Sequence, residues 1–98
     1  MRSGNQRIAK RYRISGRVQG VGFRYFAERA AARLHLGGYV RNCSDGTVEV
    51  YAIGDPPALE IFKMQLAEGP RGARVMAVDE SDEPVNERYG IFMIEGGW

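Results

Sequence analysis

From Gly16 to Arg24 the chain reads Gly16-Arg17-Val18-Gln19-Gly20-Val21-Gly22-Phe23-Arg24, a glycine-punctuated turn between a strand-like and a helical pattern. Successive backbone N–H groups in such a turn, with the unpaired donors of a helix's first turn, form a concavity suited to an anion. Glycine lets the backbone approach that anion with no Cβ in the way. Arg24 falls in the first helical turn, off the apolar stripe, where its planar fork suits bidentate contact with a phosphate. It is also a misfit. A cation there faces the positive end of the helix dipole, at a cost of a few tenths to about 1 kcal/mol unless an anion offsets it. Spacing alone leaves two readings open: an oxyanion site, and a tight turn followed by an exposed arginine.

The rest of the chemical inventory mostly excludes. No Gly-Lys-Ser/Thr follows the glycines, so the turn is not a nucleotide P-loop. His35 is the single histidine, at the expected end of the first helix, where the dipole favours it. No second ligand type is spaced with it for zinc, and no serine sits in a nucleophile-elbow sequence. A cysteine phosphatase pattern would place arginine six positions after Cys43, where Glu49 stands. The acidic run Asp79, Glu80, Asp82 and Glu83 reads as a solvated loop rather than a metal site. Asn42, just before a hairpin turn, reads on its own as a residue chosen for local hydrogen bonding.

These residues need elements to hold them. Tyr12 to Val18 alternates, with Tyr12, Ile14, Gly16 and Val18 on one face and Arg13, Ser15 and Arg17 on the other, as in a half-buried strand. Phe23, Phe26, Ala27, Ala30, Ala31 and Leu34 make one apolar helical stripe, which Gly37-Gly38 is expected to end. Tyr39 to Asn42 and Thr47 to Ile53 are β-rich runs joined by Cys43-Ser44-Asp45-Gly46, a hairpin. Asp55 is the expected N-cap of a second helix, with stripe Leu59, Phe62 and Leu66 and a stop at Gly69-Pro70. Ala73 to Val78 reads as a strand, Asp79 to Glu87 as an acidic turn-like stretch, and Ile91 to Ile94 as a last short strand. The order predicts an α+β, ferredoxin-like split βαβ sandwich (βαββαβ): two helices on one face of a mainly antiparallel sheet, with a short extra terminal strand.

The 98 residues fit one domain, with residues 1–10 expected as a flexible extension and 11–98 as the folded unit. A net charge of +2 conceals a lopsided layout. Residues 1–41 carry ten basic side chains and one acid, whereas 42–98 carry four basic and eleven acidic ones. No apolar run approaches the roughly 18 residues of a membrane span. Met1 to Arg11 has no apolar centre and does not read as a secretory signal, so a cytoplasmic location is expected. One cysteine excludes an intramolecular disulfide, and Asn42-Cys43-Ser44 matches the glycosylation sequon by accident.

Ile14-Ser15-Gly16-Arg17-Val18-Gln19-Gly20-Val21-Gly22-Phe23-Arg24 closely resembles the first signature of the acylphosphatase family. Gly38-Tyr39-Val40-Arg41-Asn42, followed by Gly46, Val48 and Gly54, resembles the second. The resemblance in element order runs from about Tyr12 to Glu95. It implies a ferredoxin-like fold and hydrolysis of acyl phosphates to a carboxylate and inorganic phosphate. By position, Arg24 matches the family's phosphate-binding arginine and Asn42 its water-orienting asparagine. Gln19, Gly20, Val21, Gly22, Phe23 and Arg24 match its phosphate-binding loop; the position of Gly22 varies in the family, so Gly20 carries more weight. The resemblance further implies no metal and no cofactor, a small-molecule acyl phosphate substrate, and inorganic phosphate as product and competitive inhibitor. A monomer is expected, and Arg17 and Arg41 read either as added positive field around the site or as plain surface.

Two competing readings weigh less. The RNA-recognition motif shares this element order, but its aromatic octapeptide is missing and Glu49 would repel a backbone phosphate, so no nucleic-acid partner is expected. Acylphosphatase-like domains also open larger maturation proteins with zinc-finger cysteines downstream. The chain reaches Trp98 without such cysteines, and a free-standing enzyme is expected over an inactive phosphate-binding domain.

Overall fold

The computed structural model describes residues 6–96. Its elements are β1 (Ile8–Arg17), α1 (Phe23–Arg33), β2 (Gly37–Asn42), β3 (Val48–Gly54), α2 (Pro56–Glu68), β4 (Arg74–Glu83) and β5 (Phe92–Ile94). The sheet order is β4-β1-β3-β2-β5, antiparallel throughout except for the parallel β2–β5 pair. This is the ferredoxin-like arrangement the element order predicts, with β5 as the additional strand.

Binary pattern decides which face the helices cover. Tyr12, Ile14, Val40, Val48, Val50 and Ala52 point to the helix side and join Phe23, Ala27, Ala30, Ala31, Leu59, Phe62 and Leu66 in one core. The α2 stripe is buried as its spacing requires. Fully burying a side chain such as Phe62 or Leu66 stabilises the fold by about 1.5–3 kcal/mol. Asp55 holds the N-cap position of α2, but its side chain makes no capping bond.

Besides one-residue shifts such as those in β3 and at the end of β1, four differences separate the structure from the sequence reading. First, α1 ends before the glycine pair: the Leu36 N–H donates to the Ala31 carbonyl and the His35 N–H to that of Ala32. That is a Schellman closure, with His35 at φ 58° in the left-handed position usually given to glycine. Gly37 and Gly38 instead begin β2. Gly38 is needed there for close approach: it holds φ 133°, and a Cβ would overlap the Tyr51 carbonyl across the β2–β3 ladder. Gly38→Ala is therefore expected to destabilise the protein by about 2 kcal/mol or more. Urea melts should show a lower midpoint with an unchanged slope.

Second, β1 starts at Ile8 rather than Tyr12, so Ile8, Ala9 and Lys10 of the expected extension are strand; residues 1–5 lie outside the described residues. Third, the acidic run is the second half of β4, not a turn. Acidic residues make poor isolated strands, but here they lie across from the basic stretch of β1. Lys10 bridges to Glu80 at 2.9 Å and to Asp82 at 2.6 Å, Arg11 reaches Glu83 at 3.3 Å, and Lys63 of α2 reaches Glu80 at 2.9 Å. Part of the opposed charge of the two halves thus meets at one strand pair. Fourth, the last strand spans Phe92–Ile94, a residue shorter than expected.

Candidate active site

β1 runs out at Arg17, Val18 is buried, and the chain turns through Gln19–Gly22 into α1. Gly20 and Gly22 take φ of 75° and 78°, the left-handed region where glycine is unstrained. A Cβ at either would meet nothing within 4 Å, so conformation, and open space in front of the backbone, set the residue type. Gly22 is the N-cap of α1 and has no side chain with which to cap it. The first intrahelical bond runs from the Phe26 N–H to the Gly22 carbonyl, at 3.0 Å. The earlier N–H groups of the first turn, Phe23 to Tyr25, precede that ladder, and no acidic residue lies among them.

Val18, Gly20, Gly22, Phe23, Arg24, Tyr25 and Asn42 line a cleft of about 110 Å³. Pockets that enclose a whole organic ligand run to about 300–1,000 Å³, so this one suits a single group with the rest of the molecule outside. Gly20, Gly22, Phe23, Arg24 and Asn42, chosen from the sequence, are brought together there. Val21 instead packs half-buried against the core, and Gln19 turns its side chain to the neighbouring hairpin.

Arg24 is half-buried, and its Nη1 lies 3.5 Å from the carbonyl oxygens of both Glu95 and Gly96. The chain just after β5 thus steadies the guanidinium, a contact no local sequence signal announces. β5 is itself held by its parallel pairing with β2, and the Glu95 N–H donates to the Val40 carbonyl at 2.8 Å.

Asn42 is the last residue of β2, opposite Val48. The turn beyond it is closed by bonds from the Cys43 N–H to the Thr47 carbonyl (2.9 Å) and from the Gly46 N–H to the Cys43 carbonyl (3.1 Å). Asp45 Oδ1 accepts from the Thr47 N–H and hydroxyl, and its other oxygen meets Arg13 at 2.8 Å. The Thr47 bonds, with help from Arg13, hold the Asp45 carboxyl below its ordinary pKa. Asn42 therefore stands on a stiff hairpin.

Arg41 does not line the cleft. Its guanidinium lies 3.3 Å from the buried Glu49, on the sheet face away from the helices, and over the Tyr39 ring. The Tyr39 hydroxyl also donates to Glu49. Burial alone would raise the Glu49 pKa, but Tyr39 and Arg41 outweigh it and hold the carboxyl below its usual value. A carboxyl depressed in the folded state contributes stability above its unfolded pKa, lost as pH falls through the folded one. Wild-type stability is accordingly expected to decline below about pH 5, with Glu49→Gln losing less over that range. At neutral pH the same variant should be less stable by about 1–2 kcal/mol. Urea melts at the two pH values check both signs.

That sheet face also bears on the RNA reading. Tyr39, Tyr51 and Tyr89 cluster there with ring centroids 5.2–5.8 Å apart. The segment after β4 is tied over them, the Tyr51 hydroxyl donating to the Pro84 carbonyl and accepting from the Asn86 N–H. The rings pack on one another rather than offering a stacking platform. A larger cavity of about 570 Å³ beside them holds the Arg11–Glu83 pair and none of the sequence-chosen site residues. Among the described residues, no three His, Cys, Asp or Glu side chains are grouped to hold a metal ion, and no helix is long and apolar enough to cross a membrane.

The acylphosphatase family model matches residues 10–94. An acylphosphatase of Koribacter versatilis is 47% identical over 89 residues, covering 91% of this chain and 81% of that protein. The crystal structure of acylphosphatase from Bacillus subtilis superposes with a TM-score of 0.87 at 35% identity, covering 91% of this chain and 99% of that one. An acylphosphatase structure from Coxiella burnetii gives the same TM-score and identity, covering 91% and 93%.

Proposed function

The chain belongs to the acylphosphatase family and is an acyl phosphate hydrolase, and from that premise we propose how its cleft works. The phosphoryl group of the substrate sits against the glycine turn, held by backbone N–H groups of residues 19–24 and by the Arg24 guanidinium. Asn42 holds a water in line with the scissile bond. The water oxygen bonds to phosphorus while the bond from phosphorus to the acyl oxygen breaks, and its electron pair leaves on the carboxylate. The water's proton passes to an oxygen of the substrate's own phosphate.

This sparse equipment suits the reaction. The leaving carboxylate is stable as an anion, with a pKa near 4, so no general acid is needed. Phosphoryl transfer asks chiefly for positioning and for stabilisation of the equatorial oxygens, which N–H donors and one guanidinium supply. Asn42 is neutral at working pH: it can orient a water but is no strong base. The same economy makes the proposed reaction independent of metal. A monomeric enzyme in the cytoplasm belongs to the same proposal.

The observation that carries the proposal is the meeting of Arg24, the Gly20 and Gly22 backbone and Asn42 in one small cleft. Turnover of benzoyl phosphate in the presence of a chelator tests it, with inorganic phosphate added as inhibitor. Undiminished turnover with competitive inhibition is the expected result. Loss of activity on chelation, or inhibition by phosphate that leaves KM unchanged, would overturn it.

A further inference from the structure

We propose that the Gln19 side chain is a positioning residue that locks the phosphate turn to the hairpin carrying Asn42, an inference that rests on the cleft's function as read above. Gln19 Nε2 donates to the Cys43 carbonyl at 2.8 Å and to the Thr47 carbonyl at 2.9 Å. Both acceptors are carbonyl oxygens, so only the nitrogen end of the amide can serve them, and its two N–H donors are both engaged. The side chain therefore reaches away from the cleft, whose lining it does not join. Its place within the phosphate-loop motif concealed a different task.

The two acceptors flank the turn beyond Asn42. Cys43 follows Asn42 directly, and Thr47 precedes Val48, the residue paired with Asn42 across the hairpin. Each carbonyl already has a backbone donor, Gly46 for Cys43 and Cys43 for Thr47. A carbonyl oxygen accepts two bonds, so removing Gln19 leaves neither acceptor orphaned. The hairpin is thus closed without Gln19. What Gln19 adds is a fixed distance between that hairpin and the turn.

In the proposed reaction that distance separates the oriented water from phosphorus. Reacting atoms must lie about 3–3.5 Å apart and in line, and a displacement of 1 Å costs up to about a hundredfold in rate. Phosphate binding depends on Arg24 and the turn itself, both on the near side of the clamp. The effect of losing Gln19 belongs in kcat.

The test uses Gln19→Met, which keeps the volume and removes the donors, and Gln19→Glu, with benzoyl phosphate as substrate and inorganic phosphate as inhibitor. The Met variant should lose about ten- to a hundredfold in kcat. Its KM and phosphate inhibition constant should stay within about twofold of wild type, as befits an interaction that acts on the transition state. In the Glu variant a carboxylate would face two carbonyl oxygens, which pushes its pKa up and separates the elements at neutral pH. Protonation restores an O–H donor, so activity of the Glu variant relative to wild type should rise as pH falls, while the Met ratio stays flat. A merely structural role would give no such pH dependence. A Met variant with wild-type kcat, a loss confined to KM and phosphate inhibition, or a flat Glu ratio would overturn the inference alone. Absence of turnover in the wild type would overturn the functional reading, and this inference with it.

Discussion

Arg24→Ala is expected to lower kcat/KM for benzoyl phosphate by about a thousandfold or more, the range seen when a guanidinium that stabilises a transferring phosphoryl group is removed. Arg24 is the cation in the cleft lining, and the carbonyls of Glu95 and Gly96 steady it there. Phosphate inhibition should weaken in parallel, because the same fork binds product. Arg24→Lys should recover only part of the loss, since an ammonium carries the charge without the planar, two-pronged geometry. Stability should move the other way or not at all. Removing a cation from the positive end of α1 relieves a cost of a few tenths to about 1 kcal/mol, which offsets the loss of the two 3.5 Å contacts to the Glu95 and Gly96 carbonyls. Steady-state kinetics beside a thermal melt would read both. An Ala variant within about tenfold of wild type would remove Arg24 from the mechanism.

Asn42→Ala is expected to lower kcat by about a hundred- to a thousandfold while phosphate inhibition changes little. The contrast with Arg24 is the informative part: one residue binds the group under attack, the other holds the attacker. Asn42 ends β2 on a hairpin closed by backbone bonds and by Asp45, which fixes the position from which its side chain acts. Asn42→Asp should be worse in both kcat and KM, because a carboxylate would face the substrate's phosphate. An active Ala variant would contradict the role given to this residue.

The residues of the site were legible in the sequence because glycine spacing is a local statement. Gly20 and Gly22 mark positions where φ must be positive, and the misfit of Arg24 with the helix dipole is visible from its place after the turn. The Asp45-Gly46 turn is likewise local and set Asn42 at a strand end. Much of what escaped sequence reading depends on partners far along the chain. The acidic half of β4 looked like a loop until Lys10 and Arg11 were seen opposite it, some seventy positions away. The carbonyls that meet Arg24 are of this kind. Glu49 buried between Tyr39 and Arg41 depends instead on hairpin register, and His35 closing α1 is a local closure in a position glycine usually takes. Gln19 is the subtlest: the motif located it correctly in the turn, but only the three-dimensional arrangement shows its side chain reaching across to Cys43 and Thr47. Of the basic first half, Lys10 and Arg11 are matched by β4 acids, and Arg7, Arg13 and Arg41 by Glu87, Asp45 and Glu49, while Arg24 stands at the cleft.

The central claim is that water, oriented by Asn42, attacks phosphorus. Turnover of an acyl phosphate in water enriched in heavy oxygen tests it directly, with mass spectrometry of both products. The account predicts one heavy oxygen in inorganic phosphate and none in the carboxylate. Label in the carboxylate would mean attack at the acyl carbon, and the mechanism built on Arg24, the glycine turn and Asn42 would be wrong.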